Sequence, residues 1–206
     1  WRKKGLATLL LKSCIERLEA RGLVPVLDAT PAGQNVYRPL GFLPHFGFER
    51  WEHNAVETIF SKGPSNNSVR DTSKSDLAKI FEKDLQIFGG NRNFVIQSLF
   101  HRSYQFSTIA EGHGGFILGR DGNNATQIGP ISANSSDLAI AMLDRSLAAL
   151  SGPVFIDACD HQTPFIERLI KLGFRRQRPF LRMAKRQTNY FGETDKMFAL
   201  AGPELG

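Results

Sequence analysis

The residues whose chemistry is most easily named stand at the very start of the chain. Arg2-Lys3-Lys4-Gly5-Leu6-Ala7-Thr8 sets three cations and two small residues just ahead of an apolar helical pattern. The first backbone N–H groups of a helix have no acceptor inside it, and the helix dipole adds positive charge at that end. Together they form a seat for a diphosphate. Gly5 and Ala7 let the backbone approach such a ligand, where a bulkier side chain would stand in the way. A plain solvated helix start uses the same residues, so the assignment depends on residues further downstream.

Beyond that helix, Tyr37 sits in a second helical stretch, where its phenol could donate a proton to a leaving group or simply pack on the core. Glu49, Glu52 and His53 come next as possible bases, with no motif to select one. Asp157, Asp160 and His161 fall at a strand end, where α/β sheets often place ligands. A metal site needs more donors than these, so loop capping is the plainer role and no metal is expected. Cys159 has no paired base beside it and reads as a small buried residue. Cys14 and Cys159 lack any metal-ligand spacing, which suits a reducing compartment such as the cytoplasm.

With 41% hydrophobic and 10% aromatic residues, the 206-residue chain can bury a core. No apolar run approaches the roughly 18 residues of a membrane span. The net charge of +6 is uneven. From Arg168 to Arg186 there are eight basic residues and no acidic one. That stripe suits either an anionic partner or a solvated face paired with carboxylates elsewhere.

The elements that must position these groups are set by periodicity. Apolar residues at 6, 10, 14 and 18, and at 7, 11 and 15, give a helix stopped at Gly22. "VPVLDA" (24–29) is a short strand, and Thr30-Pro31 caps a helix running to Gly41, before a strand from Phe42. The phrase returns at 137–174, with Asp28 matched by Asp157 at an offset of 129 and Gly41 by Gly173 at 132. Each strand of the repeated phrase is expected to lie parallel to its neighbour across the helical connection. A repeat this long means two copies of one unit rather than a solenoid. Between them lies a polar, turn-rich linker with a short strand near Val69. After it come helices at 77–88 and 93–101, then strands "QFSTIAEG", "GFILGRDG" and "TQIGPISA" joined by hairpin turns.

Arg2-x-x-Gly5-x-Ala7, followed by "LDATPAGQNVYRPLGF" with Tyr37 four residues before Gly41-Phe42, resembles the acetyl-CoA-binding core of the GNAT superfamily of N-acetyltransferases. The resemblance implies an α/β fold with a mixed, mainly antiparallel sheet and helices on both faces, here as one partial and one complete copy. Residues 1–60 would be the C-terminal half of a GNAT domain, 61–67 a linker and 68–206 a complete second domain. It implies acetyl-CoA as cosubstrate, held by Arg2, Lys3, Lys4, Gly5, Leu6, Ala7 and Thr8. Tyr37 would be the acid, and the acceptor a small-molecule or peptide amine. Asp84, Phe88 and Arg92 resemble a recurrent stretch of such domains and are acceptor-side candidates, or else a helix end with a structural ion pair. The second copy departs from the pattern. "ISANSSD" (131–137) stands where the diphosphate loop belongs, and Leu169 where Tyr37 falls, so cofactor binding there is expected to be weak or lost. The first copy, cut at its middle, would lack the strand whose N–H polarises the thioester carbonyl. An exposed apolar face around the first helix and little transfer by these 206 residues alone are therefore expected. The alternative is a non-catalytic module whose stripe at 168–186 holds nucleic acid or another polyanion.

Overall fold

The computed structural model describes residues 5–56 and 68–205; Arg2, Lys3, Lys4 and the 61–67 linker lie outside them. The first stretch holds α1 (Leu6–Glu19), β1 (Val26–Ala29), α2 (Pro31–Tyr37) and β2 (Phe42–His53). The second begins with β3 (Val69–Asp71), α3 (Leu77–Phe88), α4 (Asn93–Ser103), β4 (Thr108–Ala110) and β5 (Gly115–Arg120). It continues with β6 (Thr126–Ala133), α5 (Ser136–Ala148), β7 (Val154–Cys159), α6 (Thr163–Lys171), β8 (Arg175–Lys185) and β9 (Met197–Leu200). Two boundaries differ from the periodicity. The helix after Thr30 ends at Tyr37 because Pro39 cannot continue its hydrogen bonding, and a 3-10 turn carries the chain to Gly41. The "QFSTIAEG" strand shrinks to Thr108–Ala110, since Glu111–His113 turn back toward β5.

The α/β architecture is a single nine-stranded sheet in the order β1-β8-β2-β7-β9-β6-β5-β4-β3. Every pairing is antiparallel apart from β6 with β7. Side-chain alternation along β5 shows why both faces carry helices. Phe116 and Leu118 pack with Ile80, Ile96 and Leu99 from α3 and α4. Ile117, pointing the other way, joins Met142, Leu143, Phe165 and Leu169 of α5 and α6.

The repeated helix-strand-helix-strand phrase is present twice, as α1-β1-α2-β2 and α5-β7-α6-β8. Its strands, however, are not neighbours within a copy. β8 enters between β1 and β2, and β2 enters between β7 and β8, so each copy's last strand pairs inside the other copy. Parallel pairing across a helical connection is therefore found for β6 and β7, whereas β1 and β2 share a direction but are separated by β8.

The exchange has matching chemistry on its two sides. Asp28 lies opposite Arg182 in the β1–β8 register, and Arg50 opposite Asp157 in the β2–β7 register. Both pairs are bidentate: Arg182 donates to Asp28 at 2.9 and 2.8 Å, and Arg50 to Asp157 at 2.8 and 2.8 Å. Asp28 and Asp157 are the residues matched by the repeat, and Arg50 and Arg182 share the 132 offset of the glycines. Phe48 and Phe180, also 132 apart, face each other at the centre with rings stacked at 5.0 Å and 10°. The two copies are thus related by a pseudo-twofold axis through that pair.

Asp157 is completely buried, and Gln127 adds a third hydrogen bond to it at 3.1 Å. Arg50→Ala leaves this carboxylate without its counter-ion and should cost about 3–5 kcal/mol of stability at neutral pH. Burial pushes the Asp157 carboxyl up, so without Arg50 its folded-state pKa lies above the unfolded one. The folded variant then binds the extra proton, and its deficit should shrink as pH falls from 8 toward 5. Urea titrations at several pH values test this. A deficit that stays below about 1 kcal/mol, or that grows on acidification, is the contrary result.

Candidate active site

At the start of α1, Gly5 takes φ 72° and ψ 2°, a left-handed conformation that disfavours other residues. Among the described residues no side chain caps the helix, and its first described bond runs from Leu9 N–H to Gly5 O at 3.0 Å. The N–H groups of Leu6, Ala7 and Thr8 thus precede any intrahelical acceptor. Among the described residues no atom lies within 4 Å of where a Cβ on Gly5 would stand. Along the same helix Ile15 is buried, while Leu6, Leu9 and Leu10 are 46%, 65% and 68% exposed, the apolar face expected there.

Tyr37 closes α2, whose start is capped by Thr30 accepting from Gly33 N–H at 3.2 Å. Its ring meets Phe42 edge to face at 6.1 Å and packs on the cluster of Ile15, Ala29, Phe42 and Met183. That cluster also takes Leu11 of α1, so one small core ties the helix bearing Gly5 to the helix bearing Tyr37.

The corresponding places in the second copy are closed. Ser135 caps α5 by accepting from Leu138 N–H at 3.3 Å, and Lys83 holds Asn134 at 2.7 Å. Leu169, at the position matching Tyr37, is fully buried in the main core. β6 and β7 pair through Thr126–Ile128 and Val154–Ile156, then diverge, and β9 fills the fork. Ala199 lies opposite both Ile131 of β6 and Ala158 of β7. Gly129 stands where the strands part, at φ 148°, and a Cβ there would lie 1.9 Å from Leu200 O.

Between the two copies lies a cavity of about 530 Å³. The C-terminal end of α1 and the start of β1 form one wall, and Phe88, Gly89, Phe191 and the 203–205 tail the other. Phe46 and the Arg182–Asp28 pair also line it. Of the three acceptor-side candidates, Phe88 lines the cavity. Asp84 and Arg92 brace that ring instead: Arg92 donates to Asp84 at 2.8 and 2.9 Å, and its guanidinium lies 3.8 Å from the Phe88 centroid. A second, polar cavity of about 430 Å³ borders the Arg50–Asp157 pair and includes Arg102 and Arg120. Glu204 reaches both cavities.

The remaining candidates are spread along the strands. Glu49 pairs with Arg176 at 3.0 Å, Glu52 accepts from Gln177 at 2.6 Å, and His53 Nδ1 accepts from Ala55 N–H at 3.1 Å. His161 Nε2 bonds Thr194 O at 2.9 Å, and Asp160 N–H bonds Gly47 O at 3.0 Å, so both serve loop geometry. Burial pushes the Cys159 thiol far above its usual range, which makes it inert. Among the described residues no group of three potential ligands could hold a metal ion, and no helix is long and apolar enough to cross a membrane. Much of the basic stripe is spent internally, with Arg168 on Asp144, Arg176 on Glu49, Arg182 on Asp28 and Lys185 on Leu40 O.

A family model described as acetyltransferase (GNAT) domain matches residues 80–199, more than half of the chain, and the chain belongs to that family. It is 27% identical over 213 aligned residues to the uncharacterized N-acetyltransferase YitH of Bacillus subtilis (strain 168), covering 100% of this chain and 73% of that protein. Among solved structures, a putative acetyltransferase from Pyrococcus horikoshii shares the fold at TM-score 0.76 and 18% identity, covering 100% of this chain and 68% of that one. A GCN5-related N-acetyltransferase from Sphaerobacter thermophilus matches at TM-score 0.59 and 13% identity, over 92% of this chain and 71% of that one.

The closed fork yields a direct test. Gly129→Ala drives a methyl group into the Leu200 carbonyl and should cost at least about 2 kcal/mol. Amide exchange should quicken first at residues 197–200. Unchanged exchange there would mean that β9 is not seated through Gly129.

Proposed function

We propose that the protein is an N-acetyltransferase that moves an acetyl group from acetyl-CoA to an amine bound in the cavity between its two copies. The observation that carries this reading is an asymmetry. Among the described residues, the first copy presents an uncapped helix start with open space over Gly5, while the second caps its own helix and fills its fork with β9. In this reading residues 1–60 are a partial GNAT unit and 68–206 a complete one that does not take the cofactor.

The fit to acetyl-CoA rests on the unpartnered N–H groups of Leu6, Ala7 and Thr8, which suit a diphosphate and carry the positive end of the dipole. Arg2, Lys3 and Lys4 would add charge to the same seat. When bound, the cosubstrate supplies the activated acyl carbonyl. The chain's own residues do the rest. α1, 14 residues and so about 21 Å long, separates the diphosphate seat from the cavity at its other end, a distance suited to a pantetheine arm. Tyr37 Oη would hold the proton needed by a departing sulfur. The cavity walls would orient the amine and exclude water.

Release of free thiol from acetyl-CoA in the presence of primary amines measures the activity. Tyr37→Phe should lower kcat about 10²–10⁴-fold while leaving acetyl-CoA affinity nearly unchanged. Undiminished turnover in Tyr37→Phe removes that residue from the mechanism. Absence of transfer sinks the reading.

A further inference from the structure

We infer that Glu204 is the anchor for the acceptor's ammonium group, and that the acceptor is a primary amine on an apolar, aryl-sized body. This rests on the reading of the inter-copy cavity as the acceptor site. The charges lining that cavity decide it. Arg182 and Asp28 neutralise each other through two hydrogen bonds, and both are nearly buried, so neither has charge to spare for a ligand. His45 is committed through Nε2 to Gln187 O at 2.9 Å. Glu204 remains, and its counter-ion Arg120 approaches from the second cavity, not from within the first.

Its state suits binding a cation. Burial pushes the Glu204 carboxyl up, but the hydrogen bond and charge of Arg120 and the residue's own N–H outweigh it, so the group titrates below the usual range. At neutral pH it is a carboxylate. Its side chain is 53% exposed, leaving room for a second partner beside Arg120. The tail that carries it is fixed, since Leu205 N–H bonds Gly202 O at 3.0 Å and Leu205 O accepts from Arg92. Arg92 is the residue braced on Asp84 and Phe88, so one cluster positions both the aromatic wall and the carboxylate.

The rest of the lining defines the body of the ligand. Leu23, Val26, Phe46, Phe88, Phe191 and Met197 make it largely apolar, and about 530 Å³ is the size of a small-molecule site. A hydrophilic polyamine or a sugar would bury polar groups there without partners, at a cost each time. An arylalkylamine leaves its ring among the phenylalanines and its ammonium on Glu204, where it loses a proton to solvent before its nitrogen attacks the thioester. Selection against the matching acid comes from the same carboxylate, which repels an anion.

The test uses direct binding, so that it does not depend on turnover. Phenethylamine and 3-phenylpropionate, similar in size and opposite in charge, are titrated into the full chain by calorimetry without acetyl-CoA. Phenethylamine should bind and 3-phenylpropionate should not. Glu204→Gln should weaken phenethylamine roughly three- to tenfold, as loss of a half-exposed ion pair does. Glu204→Asp should restore most of the amine affinity. Equal phenethylamine binding by wild type and Glu204→Gln overturns the inference, as does no binding by wild type. Glu204-dependent binding without acetyl transfer would keep the inference and end the enzymatic reading, while transfer that ignores Glu204 would do the reverse.

Discussion

Two bidentate ion pairs, Arg50 on Asp157 and Arg182 on Asp28, govern much of what the molecule can be. Each joins a strand of one copy to a strand of the other, and each carboxylate lies almost wholly out of water. A buried carboxylate without its guanidinium is strongly unfavourable, so neither copy can withdraw its last strand without exposing the other's charge to that cost. Phe48 stacked on Phe180 puts an apolar contact at the crossing point, where the exchanged strands meet. The sheet is consequently continuous from β1 to β3, and the cavities on either side of the axis are fixed relative to it.

Within this shared sheet the two copies still differ. Each phrase has a helix start and an Arg–Asp pair beside a cavity, and the second also has the fork of β6 and β7. Backbone polar groups demand partners wherever they are buried, and the second copy meets that demand internally through Ser135 and β9. Among the described residues, nothing in the first copy accepts from the N–H groups after Gly5. Small side-chain differences carry the division: glycine with φ 72° at one helix start, serine at the other; tyrosine at 37, leucine at 169.

The basic stripe shows how composition can mislead in isolation. Its arginines look like a polyanion surface when counted along the chain, yet several are spent on Asp144, Glu49 and Asp28, residues 24 to 154 positions away. Strand exchange brings Glu49 and Asp28 to Arg176 and Arg182, while Arg168 of α6 meets Asp144 on the neighbouring α5. An arginine in a sheet finds its partner across the ladder, and the ladder here crosses between copies.

By itself, the sequence determined the order of elements, the two-copy phrase, the glycine-led helix start and the tyrosine beyond it. These are local matters: periodicity sets helix or strand, glycine and proline set the stops, and a repeated phrase folds alike twice. The offsets of Asp28 from Asp157 and of Arg50 from Arg182 were also present in it, but not which aspartate meets which arginine. What the sequence did not decide was which strands lie side by side. Hydrogen-bonded neighbours in a sheet depend on closing long loops and on which exchanged partner buries the most surface, and no local pattern records that. Tertiary structure alone put β8 between β1 and β2, set β9 in the fork of the second copy, and brought Glu204, from the last turn of the chain, to the cavity beside β1.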